Sequence, residues 1–235
     1  TWQSTAAQPG VHLGAYGTGA KPAVSYTNSG MFTCHGDDCR VTDIAFTGTA
    51  SAGPLRKGTG DHVLFMRNDL ATHLTGITST GSTATAGTHT AIIDNTITGT
   101  NHNGVYMYAV YLAGQGNHII DTSAGEHNFR VPHTEHMVLS YNKLTVPGSI
   151  RHNVKIHCEP DPPIDTDRLV VSWNEVVGQT NQIMIDMGPQ NALFDERVAD
   201  YIVENNFIRC RSTNSGTCAA GTGINVRGSR ATLAT

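Results

Sequence analysis

The chain has 235 residues, a formal net charge of −4, 25 glycines and only 14 % charged residues. That balance lacks the basic excess of a nucleic-acid binder, and no apolar run approaches the ~18 residues needed to cross a bilayer. The composition suits one turn-rich β domain spanning residues 1–235 and argues against long surface helices.

Residues 1–30 are rich in Gly, Ala, Ser and Thr, show little periodicity, and read as a lead-in or cap. The first residue is Thr1, with no charged start or apolar core of a leader, so the chain reads as a processed protein or a fragment. Cys34 and Cys39 bracket a short polar loop, and so do Cys210 and Cys218. Both intervals suit local disulfides, which implies an oxidising compartment and a secreted or cell-surface protein. Cys158 ends an alternating run and is expected to be a small buried hydrophobe. The paired Cys-x-x-Cys knuckles of a structural zinc site are missing.

Further along, one short phrase keeps returning. β-Formers run into an Asn, and an apolar residue follows two places later. It occurs around Asn68, Asn95, Asn142, Asn174 and Asn206, with Thr122 filling the gap after Ile119-Ile120-Asp121. The spacings are 27, 27, 20, 32 and 32 residues, and Val41–Phe46 adds an earlier copy. A phrase recurring at tens of residues marks stacked coils. Each phrase is too short and alternating for a helix. Asn tolerates the left-handed backbone region and bonds its own main chain, which makes it the expected corner residue. In stacked coils these side chains would form a ladder with the spacing of paired strands, about 4.8 Å. An antiparallel sandwich would need many tight hairpins, but Asn103-Gly104 is the single Asn-Gly or Asp-Gly pair. Thr78–Thr90, low in complexity, and the Pro- and Asp-rich Glu159–Asp167 read as loops, and Gln190–Ala199 as a short helix in a turn.

Between the corner phrases lies a second family of alternating strands: 105–108, 128–131, 154–158, 183–187 and 224–227. Period two sends their Val, Met, Phe, Ile and Cys residues inward. Tyr106, Tyr108, Arg130, Lys155, His157, Met184, Asp186, Asn225 and Arg227 are then expected outside, as one stripe with neighbours about 5 Å apart. His127, Arg151 and His152 crowd the same coils.

The corner pattern resembles the right-handed parallel β-helix of the pectin-lyase-like superfamily, over roughly residues 30–230. The resemblance implies an all-β solenoid of about seven coils with an Asn corner ladder, coils occupying 31–235. The cationic stripe resembles the catalytic face of β-helical polysaccharide lyases, which cleave uronic-acid polymers by β-elimination. A cation neutralises the carboxylate, a base takes the adjacent proton, and an acid protonates the leaving oxygen. The resemblance implies Arg130 as neutraliser, because a guanidinium stays charged and forks onto carboxylate. It implies Lys155 or His157 as base and Tyr108 as acid. Tyr106, His127, Arg151, Asp186, Asn225 and Arg227 would contact an acidic polysaccharide. An inverting hydrolase needs two carboxyl groups flanking the bond, whereas the stripe offers only Asp186 among cations.

Other chemistry is weakly signalled. No His-Glu-x-x-His, Gly-x-Ser-x-Gly, phosphate loop or dinucleotide fingerprint is present. Calcium is the one candidate cofactor, at Asp161, Asp165 and Asp167, but the run lacks the spacing of known calcium loops and reads first as a solvated acidic loop. The rival to an enzyme is a non-catalytic β-helix, a fibre or adhesive module that self-associates through open coil ends.

Overall fold

A computed structural model describes residues 2–5, 8–26, 32–48, 53–79, 88–120, 126–150, 152–157, 166–180, 184–188, 198–210 and 223–226. Every strand pairing in it is parallel, and each turn of the chain contributes one strand to each of three sheets. The first sheet has nine strands, from Trp2–Ser4 to Ile224–Val226. The second has eight, from His12–Gly14 to Tyr201–Glu204, and the third eight, from Ala23–Tyr26 to Phe207–Cys210. The chain is therefore an all-parallel β-solenoid, as the corner phrases predict. About seven coils were expected; the sheets hold nine, eight and eight described strands, and the asparagine ladder spans five turns of them.

The first difference from expectation is at the start. Residues 2–26 are no lead-in: they supply a strand to each sheet, pairing with Phe32–Cys34, Arg40–Thr42 and Ala45–Gly48. Their small residues hide the period because short strands need few apolar positions to fill one coil's share of the core. The second difference is that Thr78–Thr90 is not all loop. Strands Ile77–Ser79 and His89–Ile93 occupy its ends, and 80–87 lie outside the described residues, as do most of 159–167 and 190–199.

The core is built of vertical columns. In the third sheet Val24, Phe46, Leu70, Ile97, Ile119, Leu144, Val176 and Ile208 stand in register. In the second, Val41, Phe65, Ile92, Gly114, Leu139 and Val171 do. Gly114 has no side chain because the Phe129 ring fills its place; a Cβ there would sit 2.8 Å from Phe129 Cζ and 2.9 Å from Leu139 Cδ1. Interior packing at this density leaves no room for an added methyl group.

The corner between the second and third sheets carries the ladder. Asn68, Asn95, Asn117, Asn142 and Asn174 each donate their Nδ2 to the Oδ1 of the next Asn, ending at Asn206, over 2.9–3.1 Å. The same Oδ1 accepts the backbone N–H of the asparagine in the coil before, at 3.0 Å. The other Nδ2 hydrogen goes to a main-chain carbonyl, such as Phe65 for Asn95 or Ile92 for Asn117. Buried amides with all their bonds made rigidify a corner and specify its register.

Two corrections follow. The rung expected at Thr122 is Asn117; Ile119 belongs to the strand after the corner, not before it, and Thr122 lies outside the described residues. The left-handed residue is also not the ladder Asn but the one preceding it. Arg67, Asp94, Gly116, Tyr141, Trp173 and Asn205 have φ between 52° and 66°. That residue makes the bend, which frees the Asn side chain to reach along the stack.

The Cys34–Cys39 disulfide is formed, as its spacing predicts. Cys158 and Cys218 lie outside the described residues, as does the side chain of Cys210. No helix among the described residues is long and apolar enough to cross a membrane.

Candidate functional site

Register places the stripe on the outer face of the first sheet. Thr78, Tyr106, Arg130, Lys155, Asp186 and Asn225 form one straight row, each paired with the next. Arg130 and Lys155, 25 positions apart, are vertical neighbours because one coil separates them. Alternation within Phe129–Val131 turns Arg130 out while Phe129 and Val131 enter the core.

The middle of the row is crowded with contacts. Arg130 Nε donates to His157 Nε2 at 3.2 Å, and its guanidinium carbon lies 5.1 Å from the Tyr106 ring centroid. Arg130 Nη1 is 3.6 Å from Glu126 Oε2. A bulge between Tyr106 and Tyr108 brings both phenols to one side, with their oxygens 3.0 Å apart. Lys155 Nζ donates to the Asp186 carboxylate, which also accepts from Asn225 Nδ2 at 2.7 Å. His152 Nε2 is 3.8 Å from the same carboxylate.

Burial decides what each group does. Arg130 keeps a fifth of its side chain exposed, and Glu126 nearly as much. Lys155 is 9 % exposed, Asp186 2 % and His157 fully buried. A buried ion pair whose two members meet directly is held as a pair, since separating them would strand a charge in low dielectric. Lys155 thus meets Asp186, and His157 Nε2 is an acceptor for Arg130 rather than an outward group.

His127 lies in the adjacent column and stacks on His152 with centroids 5.2 Å apart. Burial, aided by the nearby His152, Arg130 and Lys155, pushes its imidazole down to about 2, so it is neutral at every working pH. Tyr108 is almost buried and stands opposite His133 rather than in the main row. Met184, expected outside, is buried beneath a second asparagine column: Asn128 Nδ2 donates to Asn153 Oδ1 at 2.7 Å, and Asn153 Nδ2 lies 3.1 Å from Met184 Sδ. Arg151 and Arg227 lie outside the described residues, as do Asp161 and Asp165. Asp167 is described and accepts from Arg168 at 3.2 Å.

No protein-family model, curated protein or solved structure matches this chain. The site therefore rests on geometry alone. Glu126, which the sequence offers as an ion-pair partner of Arg130 or Arg151, lies 3.6 Å from Arg130 Nη1. Its Oε1 is 3.6 Å from His102 Nε2, and its Oε2 has no hydrogen-bond partner.

A second surface lies on the outer face of the second sheet. The rings of His62, His89, Tyr111 and His136 stack in a column with centroids 4.7, 4.5 and 4.5 Å apart. Arg168 Nη1 continues the column, 2.6 Å from His136 Nε2. Beside it, Leu64, Ala91, Ala113, Val138 and Val170 stand in register as the floor of a groove of about 630 Å³. The signal was present in the sequence: each column member, Arg168 included, stands six positions before a ladder asparagine.

Proposed function

We propose that this protein binds an anionic, uronic-acid polysaccharide across the outer face of the first sheet and cleaves it by β-elimination. The observation that carries the reading is the anchored yet partly exposed Arg130. Its guanidinium is anchored by His157, placed over Tyr106 and 3.6 Å from Glu126, while a fifth of the side chain stays exposed. A sugar carboxylate would pair with the exposed part of the Arg130 guanidinium. The buried Lys155–Asp186 pair then acts as a positioning unit, and the Tyr106–Tyr108 phenols carry the proton. One phenol oxygen takes the proton beside the carboxylate while passing its own proton to the other phenol, 3.0 Å away. The electron pair forms the C=C bond, the glycosidic C–O bond breaks, and the leaving oxygen takes a proton from the other phenol. The Cys34–Cys39 disulfide supports a secreted or cell-surface location. On this reading the protein is a functional counterpart of the pectin-lyase-like β-helices.

The test is incubation with polygalacturonate and polymannuronate while the ultraviolet absorbance of the unsaturated product is followed. Arg130→Ala should lower the rate at least 100-fold, and Tyr108→Phe should lower kcat with little change in KM. Binding without product would leave the glycan surface standing and remove the elimination step. Neither binding nor product would remove both.

A second reading, a self-associating structural module, is favoured by the last described coil, where Ile202, Phe207 and Ile224 are each more than 40 % exposed. Sedimentation velocity over a concentration series separates it: growing oligomers without glycan binding support the module.

A further inference from the structure

We infer that Asp61, His62 and His89 form a binding site for a divalent transition-metal ion, at the head of the groove on the second sheet. Asp61 and His62 end the turn before strand Val63–Met66, and His89 opens the strand stacked on it. One donor atom from each of the three lies within 4.8 Å of the others. The closest approaches are 3.1 Å from His89 Nδ1 to Asp61 Oδ1 and 3.8 Å from His62 Nδ1 to Asp61 Oδ2. Two ligands of a tetrahedral ion, each at about 2.0–2.2 Å, sit roughly 3.3–3.5 Å apart. The triplet is thus near chelating geometry.

The carboxylate is already positioned. Asp61 Oδ1 accepts the backbone N–H groups of His62 at 2.8 Å and His89 at 2.7 Å. Despite some burial, bonds from Thr88, His89 and His62 hold its carboxyl below the ordinary carboxylate range. The backbone N–H of Asp61 is tied to Asp37 Oδ1 at 2.9 Å. The His89 ring is clamped between His62 and Tyr111. Two further oxygens stand close, Asp38 Oδ1 at 3.8 Å from His62 Nδ1 and Thr88 Oγ1 at 2.7 Å from His89 Nδ1. Both face the same ring nitrogens as Asp61 does and are further candidate donors, while the backbone N–H groups on Asp61 orient its carboxylate.

The donor set selects the ion class. Two imidazoles and a carboxylate suit Zn²⁺, Ni²⁺ or Cu²⁺, whereas Ca²⁺ and Mg²⁺ prefer all-oxygen sets. Both histidine side chains are about half exposed and line the groove. That leaves coordination positions open toward a cleft that also holds Arg40 and Arg168. An ion there would face an anionic ligand lying on the apolar floor. This site is separate from the Arg130 surface and does not depend on it.

The experiment is calorimetric titration of the EDTA-stripped full chain with ZnCl₂ and with CaCl₂, plus the visible spectrum of the Co²⁺ adduct. The expected result is one Zn²⁺ per chain, a cobalt band of low-coordinate intensity, and a rise in Tm on adding Zn²⁺. His62→Ala and His89→Gln should each weaken Zn²⁺ binding at least tenfold and abolish the Tm rise, with the metal-free Tm unchanged. His136→Ala, in the ring column but outside the triplet, should bind as the unaltered chain does. Several weak sites indifferent to His62 and His89, or calcium binding as tightly as zinc, would overturn the assignment.

Discussion

At the scale of the residue, the asparagine ladder makes a prediction with little freedom in it. Asn117 accepts from both the side chain and the backbone N–H of Asn95, and donates to Asn142 and to the Ile92 carbonyl. Asn117→Ala strands buried donors on one side and a buried carbonyl on the other. Each lost partner costs about 1–3 kcal/mol, so the substitution should lower stability by roughly 3 kcal/mol or more in a urea titration. Asn206→Ala, at the less buried end of the ladder, should cost less. The corner phrases revealed that a ladder exists, because Asn recurs before a strand. They misplaced one rung, because Ile119-Ile120-Asp121 imitates the run that precedes a corner. What decides between Asn117 and Thr122 is a two-sided amide, able to give and accept along the stack, and Thr lacks it.

At the scale of the element, alternation was readable in the second family of strands, and Tyr106, Arg130, Lys155 and Asp186 share one register position along the stack. Exposure was not readable. A strand pattern tells which way a side chain leaves the sheet, not what the neighbouring coil lays beside it, so His157 and Met184 were expected in solvent and are buried. The bulge that brings the two tyrosines together is likewise a property of paired strands, not of one. Packing between elements gives the second prediction. Gly114 sits beneath the Phe129 ring, with Leu139 equally close. Gly114→Val should overpack this layer and lower stability by about 1–3 kcal/mol. Combining it with Phe129→Leu should recover part of the loss, measured as a coupling in a double-mutant cycle.

At the scale of the molecule, buried titratable groups set the response to pH. Burial lowers the imidazoles of His127, His73 and His133 below their ordinary value of 6.5. Below pH 6.5 the unfolded chain takes up protons that the folded chain refuses, so stability falls as pH drops through that region. Lys57 is fully buried, and desolvation depresses its ammonium from 10.5 to about 8, partly offset by Asp61. Between pH 8 and 10.5 the unfolded chain holds the proton that the folded chain has released, so stability rises there with pH. Urea midpoints should therefore climb below pH 6.5, flatten up to pH 8 and climb again. His127→Gln should reduce the acid slope. Lys57→Met should remove the alkaline rise and add up to about 3 kcal/mol at pH 7.

The ladder rungs are 22 to 32 residues apart in sequence, with the two longest intervals at the C-terminal end of the stack. The ladder contacts therefore close loops of about a tenth to a seventh of the chain length, which is a low contact order for a fold whose described elements are strands. Folding has no distant pairing to wait for. A single formed turn offers the next one a complete edge to copy, so the chain should zip outward from its best-packed middle at a rate set by one loop closure at a time.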